Sequence, residues 1–303
     1  MKYSLLLVRY GELSLKSAYV RRYFESVLIR NINQALAQEK LQGTVTKDRG
    51  RIYLRSPYVE RCGRVLRRIF GIVSFSPAME TIADPNNISA AALQLMREAL
   101  TIHQSFAIRA TRTGTHPFTS HDIAVRVGSD IVHEFHASVD LTNPDVELFI
   151  EVRDKKAFLF TKKIKGVGGL PRGTQGIVLA LIDAPESLLA AWYLVHRGCD
   201  VVFVRTTHSV EKPLKIFCKR WYLTTESTML NPRAHGFYHD LDRIATDHHC
   251  DAVVTGCTLE RPKTTFTVMS TWKQQSAIPM LTPLIAMDQQ EITARCRKLR
   301  IEL

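Results

Sequence analysis

No run of about 18 consecutive apolar residues occurs in this 303-residue chain, so a membrane-spanning helix is not expected. The six cysteines, Cys62, Cys199, Cys218, Cys250, Cys257 and Cys296, include no C-x-x-C pair, which excludes the usual zinc-site and disulfide-framework patterns. His248-His249 and the His235/His239 pair lack companion ligands at metal-binding spacing, and no metal site is expected. The N-terminus lacks the basic, apolar and small-residue succession of a signal peptide, so a cytoplasmic location is expected. Internal repeats and low-complexity tracts are missing too. Acidic residues are in short supply: 29 Asp and Glu face 41 Lys and Arg, for a formal net charge of +12. Residues 1–170 hold 25 basic and 16 acidic side chains, and the remainder 16 and 13. That imbalance favours a polyanionic partner, and nucleic acid over a membrane surface, because no basic amphipathic helix carries Trp or Phe on its apolar face.

What is present reads as strands and helices in alternation. Residues 4–9 form a short apolar run. Helical spacing follows over 19–37 through Phe24, Val27, Leu28, Ile32 and Leu36, and residues 51–55 alternate after the turn signal Lys47-Asp-Arg-Gly50. A helix over 59–70 and a strand over 72–80 complete the order β-α-β-β-α-β of a ferredoxin-like domain. The turn Asp84-Pro-Asn-Asn87 opens a second unit, with an N-cap expected at Asn87 or Ser89 and a helix over 90–100. Then come a strand over 105–112, a helix over 120–135, strands over 146–153 and 157–161, and Gly166-Val-Gly-Gly-Leu-Pro171, which reads as a flexible linker. From Gly176 onward, strands at 177–181, 201–205 and 252–255 alternate with helices at 187–197, near 237–248 and from Asp288. Such alternation implies a doubly wound parallel sheet with helices on both faces. The expected domains are 1–80, 81–170 and 171–303.

Glycine is missing where this last domain most calls for it. Gly173-Thr-Gln-Gly-Ile-Val-Leu-Ala-Leu-Ile182 enters a buried strand and 187–196 form the returning helix, but the connecting Ile182-Asp-Ala-Pro-Glu-Ser187 has no glycine. A turn that holds pyrophosphate needs glycines for positive φ and for close approach of backbone N–H groups. Pro185 deletes one N–H, and Asp183 and Glu186 add negative charge. A carboxylate about 6 Å from a phosphate oxygen costs roughly 2 to 3 kcal/mol at an effective dielectric of about 20.

Basic residues cluster in three places. Arg61, Arg64, Arg67 and Arg68 stand at i, i+3, i+6 and i+7, so on a helix they share a face that can meet successive phosphates, a solvated face being the plain alternative. Arg109, Arg112 and His116 precede Phe118-Thr119-Ser120, where Ser120 is expected to cap a helix starting at His121 and to leave N–H groups facing an anion. Arg109 and Arg112 should point to opposite faces of their strand; for each, an intradomain pair with a carboxylate is the alternative. Lys162, Lys163 and Lys165, beside the linker, suit backbone phosphates as point charges. Among the cysteines, Cys257 and Cys218, the latter flanked by Lys215, Lys219 and Arg220, are the candidates for a nucleophilic thiolate, against the alternative of inert thiols.

These segments also carry a resemblance to a known family. The stretches Phe106-Ala-Ile-Arg-Ala-Thr-Arg-Thr-Gly-Thr-His-Pro-Phe-Thr-Ser120, Val139-Asp-Leu-Thr-Asn-Pro-Asp-Val-Glu147 and Lys162-Lys-Ile-Lys-Gly-Val-Gly-Gly-Leu-Pro171 resemble a THUMP domain. Val8-Arg-Tyr-Gly-Glu-Leu-Ser-Leu-Lys16 and Pro283-Leu-Ile-Ala-Met-Asp288 resemble the tRNA 4-thiouridine synthetase family. The resemblance implies that a ferredoxin-like domain and a THUMP domain grip tRNA, with the edge holding Arg109, Arg112, His116, Thr119 and Ser120 on the RNA-binding surface. It further implies a PP-loop domain that adenylates a uridine with ATP before a persulfide sulfur displaces AMP. The family's phosphate loop, Ser-Gly-Gly-x-Asp-Ser, falls on 182–187, where only Ser187 is retained and Glu186 replaces the aspartate. Asp183, Ser187 and Gly256 then stand at nucleotide-binding positions, and Glu186 and Asp288 are those that could place magnesium. A later family segment, Thr-Gly-Glu-Ser-Leu-Gly-Gln, reads Thr255-Gly-Cys-Thr-Leu-Glu-Arg261 here, and the chain ends at Leu303, where family members usually continue. The expectation is a tRNA-binding protein of tRNA modification with impaired ATP pyrophosphatase activity. The alternative is an active ATP-dependent sulfurtransferase that draws sulfur from a cysteine or a separate donor protein; a homodimer is compatible with either.

Overall fold

The computed structural model describes residues 3, 5–11, 17–48, 50–260 and 262–302, so residues 12–16 of the opening motif and Arg261 lie outside the description. Two compact units are formed: Met1–Arg9, Glu39–Arg67 and Ser74–Gly166 make one, and Tyr10–Gln38, Arg68–Val73 and Val167–Leu303 the other. Among the described residues no helix is long and apolar enough to cross a membrane.

The element order opens β1 (Leu5–Tyr10), α1 (Ala18–Gln38), β2 (Thr44–Asp48), β3 (Arg51–Arg55), α2 (Val59–Leu66) and β4 (Ile72–Ile82). It continues with α3 (Pro85–Ala99), β5 (Ser105–Thr113), α4 (Ser120–Phe135), β6 (Ser138–Val139), β7 (Val146–Arg153), β8 (Lys156–Phe160) and β9 (Ile164–Lys165). These strands form a single sheet in the order β2-β3-β1-β4-β8-β7-β5-β6, with β9 also on β4. The pleat sorts side chains by parity. Leu148, Ile150 and Val152 of β7 pack with Ile88 and Leu95 of α3 and Ile123, Val127 and Ile131 of α4. The alternate residues Glu147, Phe149, Glu151 and Arg153 lie on the opposite face, where Phe149 packs against a cluster of Leu5, Leu7, Tyr53, Ala78, Phe158 and Phe160.

Three local expectations are corrected in this part of the chain. The cap of α3 is Asp84, whose carboxylate accepts from the N–H groups of Asn86 and Asn87, with Pro85 in the first helical turn; Asp-Pro is a cap followed by a residue pre-set for the helix, not a free turn. The cap of α4 is Thr119, in a reciprocal capping box with Asp122, so Ser120 is the first helical residue. Finally, α2 ends at Leu66 with Arg67 as its cap, four residues short of the expected 59–70.

The second unit contains β10 (Ile177–Ile182), α5 (Ser187–His196), β11 (Asp200–Arg205), α6 (Glu211–Trp221) and β12 (Ser227–Met229). Then follow α7 (Phe237–Asp247), β13 (Ala252–Val254), α8 (Pro262–Gln275), β14 (Met280–Leu281) and α9 (Gln289–Leu299). Its sheet has the order β12-β11-β10-β13-β14 and is parallel throughout. The central strand β10 buries both faces: Val178, Ala180 and Ile182 toward residues of α5, α6 and α9, Leu179 toward those of α7 and α8. Helices on both faces explain why β10 reads as a continuous apolar run. Because β11 and β13 flank β10 on opposite sides, the topological switch point lies between the carboxyl ends of β10 and β13.

The segment read as a flexible linker is instead pinned. Gly168 donates to the Ile72 carbonyl at 2.8 Å and accepts from the Gly71 N–H at 2.8 Å, while Leu170 donates to the His196 carbonyl at 3.0 Å. Gly169, at φ +73°, lies so close to the His196 carbonyl that no Cβ fits. Its neighbour α1 belongs to the same unit: Asn31 donates to the Arg172 carbonyl at 3.1 Å, and Phe24 packs with Leu170.

Candidate functional site

The turn at the end of β10 is the natural ligand position of the parallel sheet, and the first N–H groups of α5 beside it are already committed. Ser187, Leu188 and Leu189 donate to the carbonyls of Ala184, Pro185 and Glu186 at 3.1, 3.1 and 2.9 Å, a tight i→i+3 turn that absorbs the N–H groups at the start of α5. Pro185 has no N–H to add. Glu186 sits in the right-handed helical region, and none of residues 183–186 has positive φ, so the concave array of N–H groups that cradles an anion is not formed. The Ser187 side chain, 2% exposed, donates to the Asp183 carboxylate. Across the switch point, a Cβ at Gly256 would meet Ser187 Oγ at 2.6 Å and Cα at 3.0 Å. Ser187 is thus bonded to Asp183 on one side and packed against Gly256 on the other.

The proposed metal and sulfur residues are elsewhere engaged. Asp288 is the N-cap of α9, accepting from the Glu291 N–H at 2.8 Å. The partly buried Glu186 lies near Cys296, whose thiol is pushed up to about 11, first by burial and then by the Glu186 charge. Burial pushes the Cys218 thiol up to about 12, the reverse of what a nucleophilic thiolate needs, so the flanking lysines and arginine do not activate it. Cys257 is raised as well, by burial first, with Thr255 partly offsetting it and Asp183 adding to it. Among the described residues no cluster of His, Cys, Asp and Glu is placed to hold a metal ion.

The basic residues separate into engaged and exposed sets. Arg109 donates to Glu147 at 2.8 Å and to the Leu141 carbonyl at 2.9 Å, the intradomain pairing that was its alternative. Register places Arg109 opposite Phe149 and Arg112 opposite Val152, hence on opposite faces. Arg112 is exposed and donates to the Gly114 carbonyl at 3.2 Å; His116 Nε2 is 2.6 Å from the Asp154 carbonyl oxygen and steadies the same loop. Arg64 and Arg67 are exposed, but Arg68 donates to the Tyr222 hydroxyl at 2.6 Å and covers its ring, so the four-arginine helical face is reduced. Lys162 is exposed, Lys163 lies 3.7 Å from the centroid of the Phe149 ring, and Lys165 sits in β9, paired with β4.

Sequence reading missed the face of the first sheet opposite α3 and α4. Glu151, 8% exposed, accepts from Arg9 at 2.8 Å and from Arg51 at 3.2 Å, and Arg9 also donates to Ser76 at 3.0 Å. Burial raises the Glu151 pKa, but Arg9 and then Arg51 outweigh it and hold the carboxyl below its ordinary range. Phe149 and Phe160 stack at 5.2 Å with Arg9 over Phe160 and Lys163 over Phe149. Cations laid over aromatic rings on one sheet face suit a polyanion whose bases or phosphates approach that face. The signal was available only as strand parity: Arg9, Arg51 and Glu151 are far apart in sequence and meet through pairing register.

The fold defines the class: a ferredoxin-like domain and a THUMP domain ahead of a doubly wound parallel-sheet domain. Residues 5–76 match the ThiI ferredoxin-like domain and residues 83–162 the THUMP domain. The chain belongs to the tRNA sulfurtransferase family. It is 33% identical to a probable tRNA sulfurtransferase of Methanothermobacter thermautotrophicus, covering 96% of this chain and 83% of that one. With a probable tRNA sulfurtransferase of Methanobrevibacter smithii it shares 30% identity over 97% of this chain and 85% of the other. Both alignments run over 331 positions, more than the 303 residues here, so the relatives hold segments within the matched span that this chain lacks. Among solved structures, PH1313 from Pyrococcus horikoshii superposes with a TM-score of 0.85 at 29% identity, covering 98% of this chain and 99% of that one. A 4-thiouridine synthetase in complex with RNA and bound ATP shares the fold, with a TM-score of 0.81 at 23% identity over 97% and 84% of the two chains.

Proposed function

We propose that this chain is a cytoplasmic tRNA-binding member of its family that serves tRNA modification without ATP pyrophosphatase activity. The division of labour follows residues 1–80 and 81–170 for RNA and 171–303 for a retired catalytic domain. The observation that carries this reading is the β10–α5 turn, where the first three N–H groups of α5 are taken by the carbonyls of Ala184, Pro185 and Glu186, Pro185 offers none, no residue has positive φ, and two carboxylates stand beside them. Tyr53, Phe149 and Phe160 with their covering cations supply the RNA-facing chemistry.

Calorimetric titration of ATP with magnesium, with and without bulk tRNA, tests it. The expected result is saturable tRNA binding and no ATP binding. Release of AMP and pyrophosphate in the presence of tRNA would overturn it in favour of an active sulfurtransferase, in which Glu186→Ala would abolish turnover.

A further inference from the structure

The cationic face of the first sheet carries a half-open cavity of about 150 Å³ lined by Thr46, Lys47, Asp48, Tyr53, Arg55, Arg153, Lys156 and Phe158. Its walls come from the β2–β3 hairpin and from β7 and β8, all within the first unit. Strand register explains the convergence: Thr46 pairs with Tyr53 across the hairpin, Arg153 pairs with Lys156 across β7–β8, and Tyr53 and Phe158 pack ring against ring at 5.0 Å. Four cations therefore meet around an aromatic floor, opposed by Asp48 and by Glu80, which binds both Arg55 and Lys156. None of the four lacks a protein partner. A guanidinium has five N–H donors and an ammonium three, however, so one or two carboxylates leave donors over.

A second observation points into the same place. The Tyr53 ring is buried, while its hydroxyl is not among the fully buried polar atoms without a partner and so keeps contact with solvent at the cavity that the residue lines. Burial first raises the phenol above its ordinary range, Arg153 opposes this and Asp48 adds to it. Both of those groups line the cavity, so the hydroxyl is a neutral donor beside Arg153. The size restricts the occupant: sites for whole small-molecule ligands run to about 300–1,000 Å³, so this one accepts a single compact anionic group and not a nucleotide.

We propose that this cavity seats one phosphate of an RNA backbone, with Lys47 and Arg153 neutralising it and the Tyr53 hydroxyl donating to it. The proposal rests on the tRNA-binding reading above and locates a contact within it. Arg109 and Arg153 stand on the same face of the β5–β7 pair, Arg109 opposite Phe149 and Arg153 four residues further along β7. At a rise of about 3.4 Å per residue that is roughly 14 Å, and Arg109 is already held by Glu147, so the cavity is a separate phosphate contact and not the continuation of the Arg109 site.

The test is equilibrium binding of bulk tRNA to the full chain from about 50 to 200 mM salt, for the unaltered protein, Lys47→Ala, Arg153→Ala and Tyr53→Phe, each checked by thermal melting. Lys47 is exposed, so its variant folds regardless of the fate of Arg153. Removing either cation should weaken binding several-fold at low salt and flatten the plot of log K against log salt by about 0.7 to 0.9, one phosphate's worth of released counterions. Tyr53→Phe should weaken binding with the slope unchanged, because a neutral donor releases no counterion. If the unaltered protein binds tRNA and all three variants match it in affinity and slope, the site is wrong and the tRNA reading stands. If the unaltered protein binds no tRNA, both fall.

Discussion

Ser187 gives its hydroxyl hydrogen to the Asp183 carboxylate, closing the end of β10 onto the first turn of α5. With Ser187 buried and Asp183 exposed, the pair is asymmetric. Asp183→Ala strands a buried hydroxyl and should cost about 1–3 kcal/mol, whereas Ser187→Ala leaves only an exposed carboxylate to water and should cost less. Urea unfolding midpoints of the two variants decide it; equal stability of Asp183→Ala and the unaltered protein would contradict the pairing.

Gly256 touches the same serine from across the switch point. A methyl group there would press on Ser187 Oγ at 2.6 Å and on backbone at 3.0 Å. Gly256→Ala should therefore destabilise by about 1–3 kcal/mol, as overpacking does in a filled interior. An unaltered melting temperature would show that the two loops are free to part.

Glu151, held by Arg9 and Arg51, makes stability depend on acid. Its carboxyl titrates below the ordinary 4.5 in the folded chain, so its contribution is complete above that value and disappears as pH falls through the folded value. Glu151→Gln should cost about 3–5 kcal/mol near neutrality because two partly buried guanidinium groups lose their partner. The gap between variant and parent should narrow as pH falls from about 6 to about 3. A gap independent of pH would exclude an ionised Glu151.

Thiol chemistry gives a direct reading of the cysteines. With Cys218 pushed up to about 12 and buried, iodoacetamide near pH 8 should leave it unmodified while the partly exposed Cys250 and Cys257 react slowly. Peptide mass spectrometry over time reports the order, and early labelling of Cys218 would return it to the list of nucleophiles.

Arg112 and Arg109 should separate in tRNA binding. Arg109 already spends its guanidinium on Glu147 and the Leu141 carbonyl, while Arg112 is exposed and meets only neutral groups among the hydrogen bonds described, the Gly114 carbonyl and a long contact to the His116 ring. Arg112→Ala should lower affinity more than Arg109→Ala in a filter-binding titration; the reverse order would place the RNA on the Arg109 face alone.

Sequence patterns found the elements whose signals are local. The apolar period of 4–9, 177–181 and 201–205 led to true strands, and helical spacing over 19–37 to α1. Short edge strands β12 and β14 escaped because two or three residues carry no period, and α6 and α8 because Pro213 and a largely exposed surface blur the helical pattern. Arg68 was misplaced since α2 stops before it, and the Glu151 network was invisible because it exists only once β1, β3 and β7 are aligned. Local composition did reveal the glycine-free turn, where the chemistry is written in four consecutive residues.

Strand β4 belongs to two neighbours at once: Met79–Ile82 pair with Leu159–Lys156 of β8, while Ser74 and Phe75 pair with Lys165 and Ile164. The ferredoxin-like and THUMP segments are consequently not interchangeable beads. A chimera that exchanged residues 83–162 for those of another protein would inherit a strand edge cut to this chain's register, and a one-residue mismatch there would turn the residues standing in for Phe158 and Phe160 to the wrong side of the sheet. The seam between the two segments is a hydrogen-bond ladder, so each segment supplies the edge on which the other is paired.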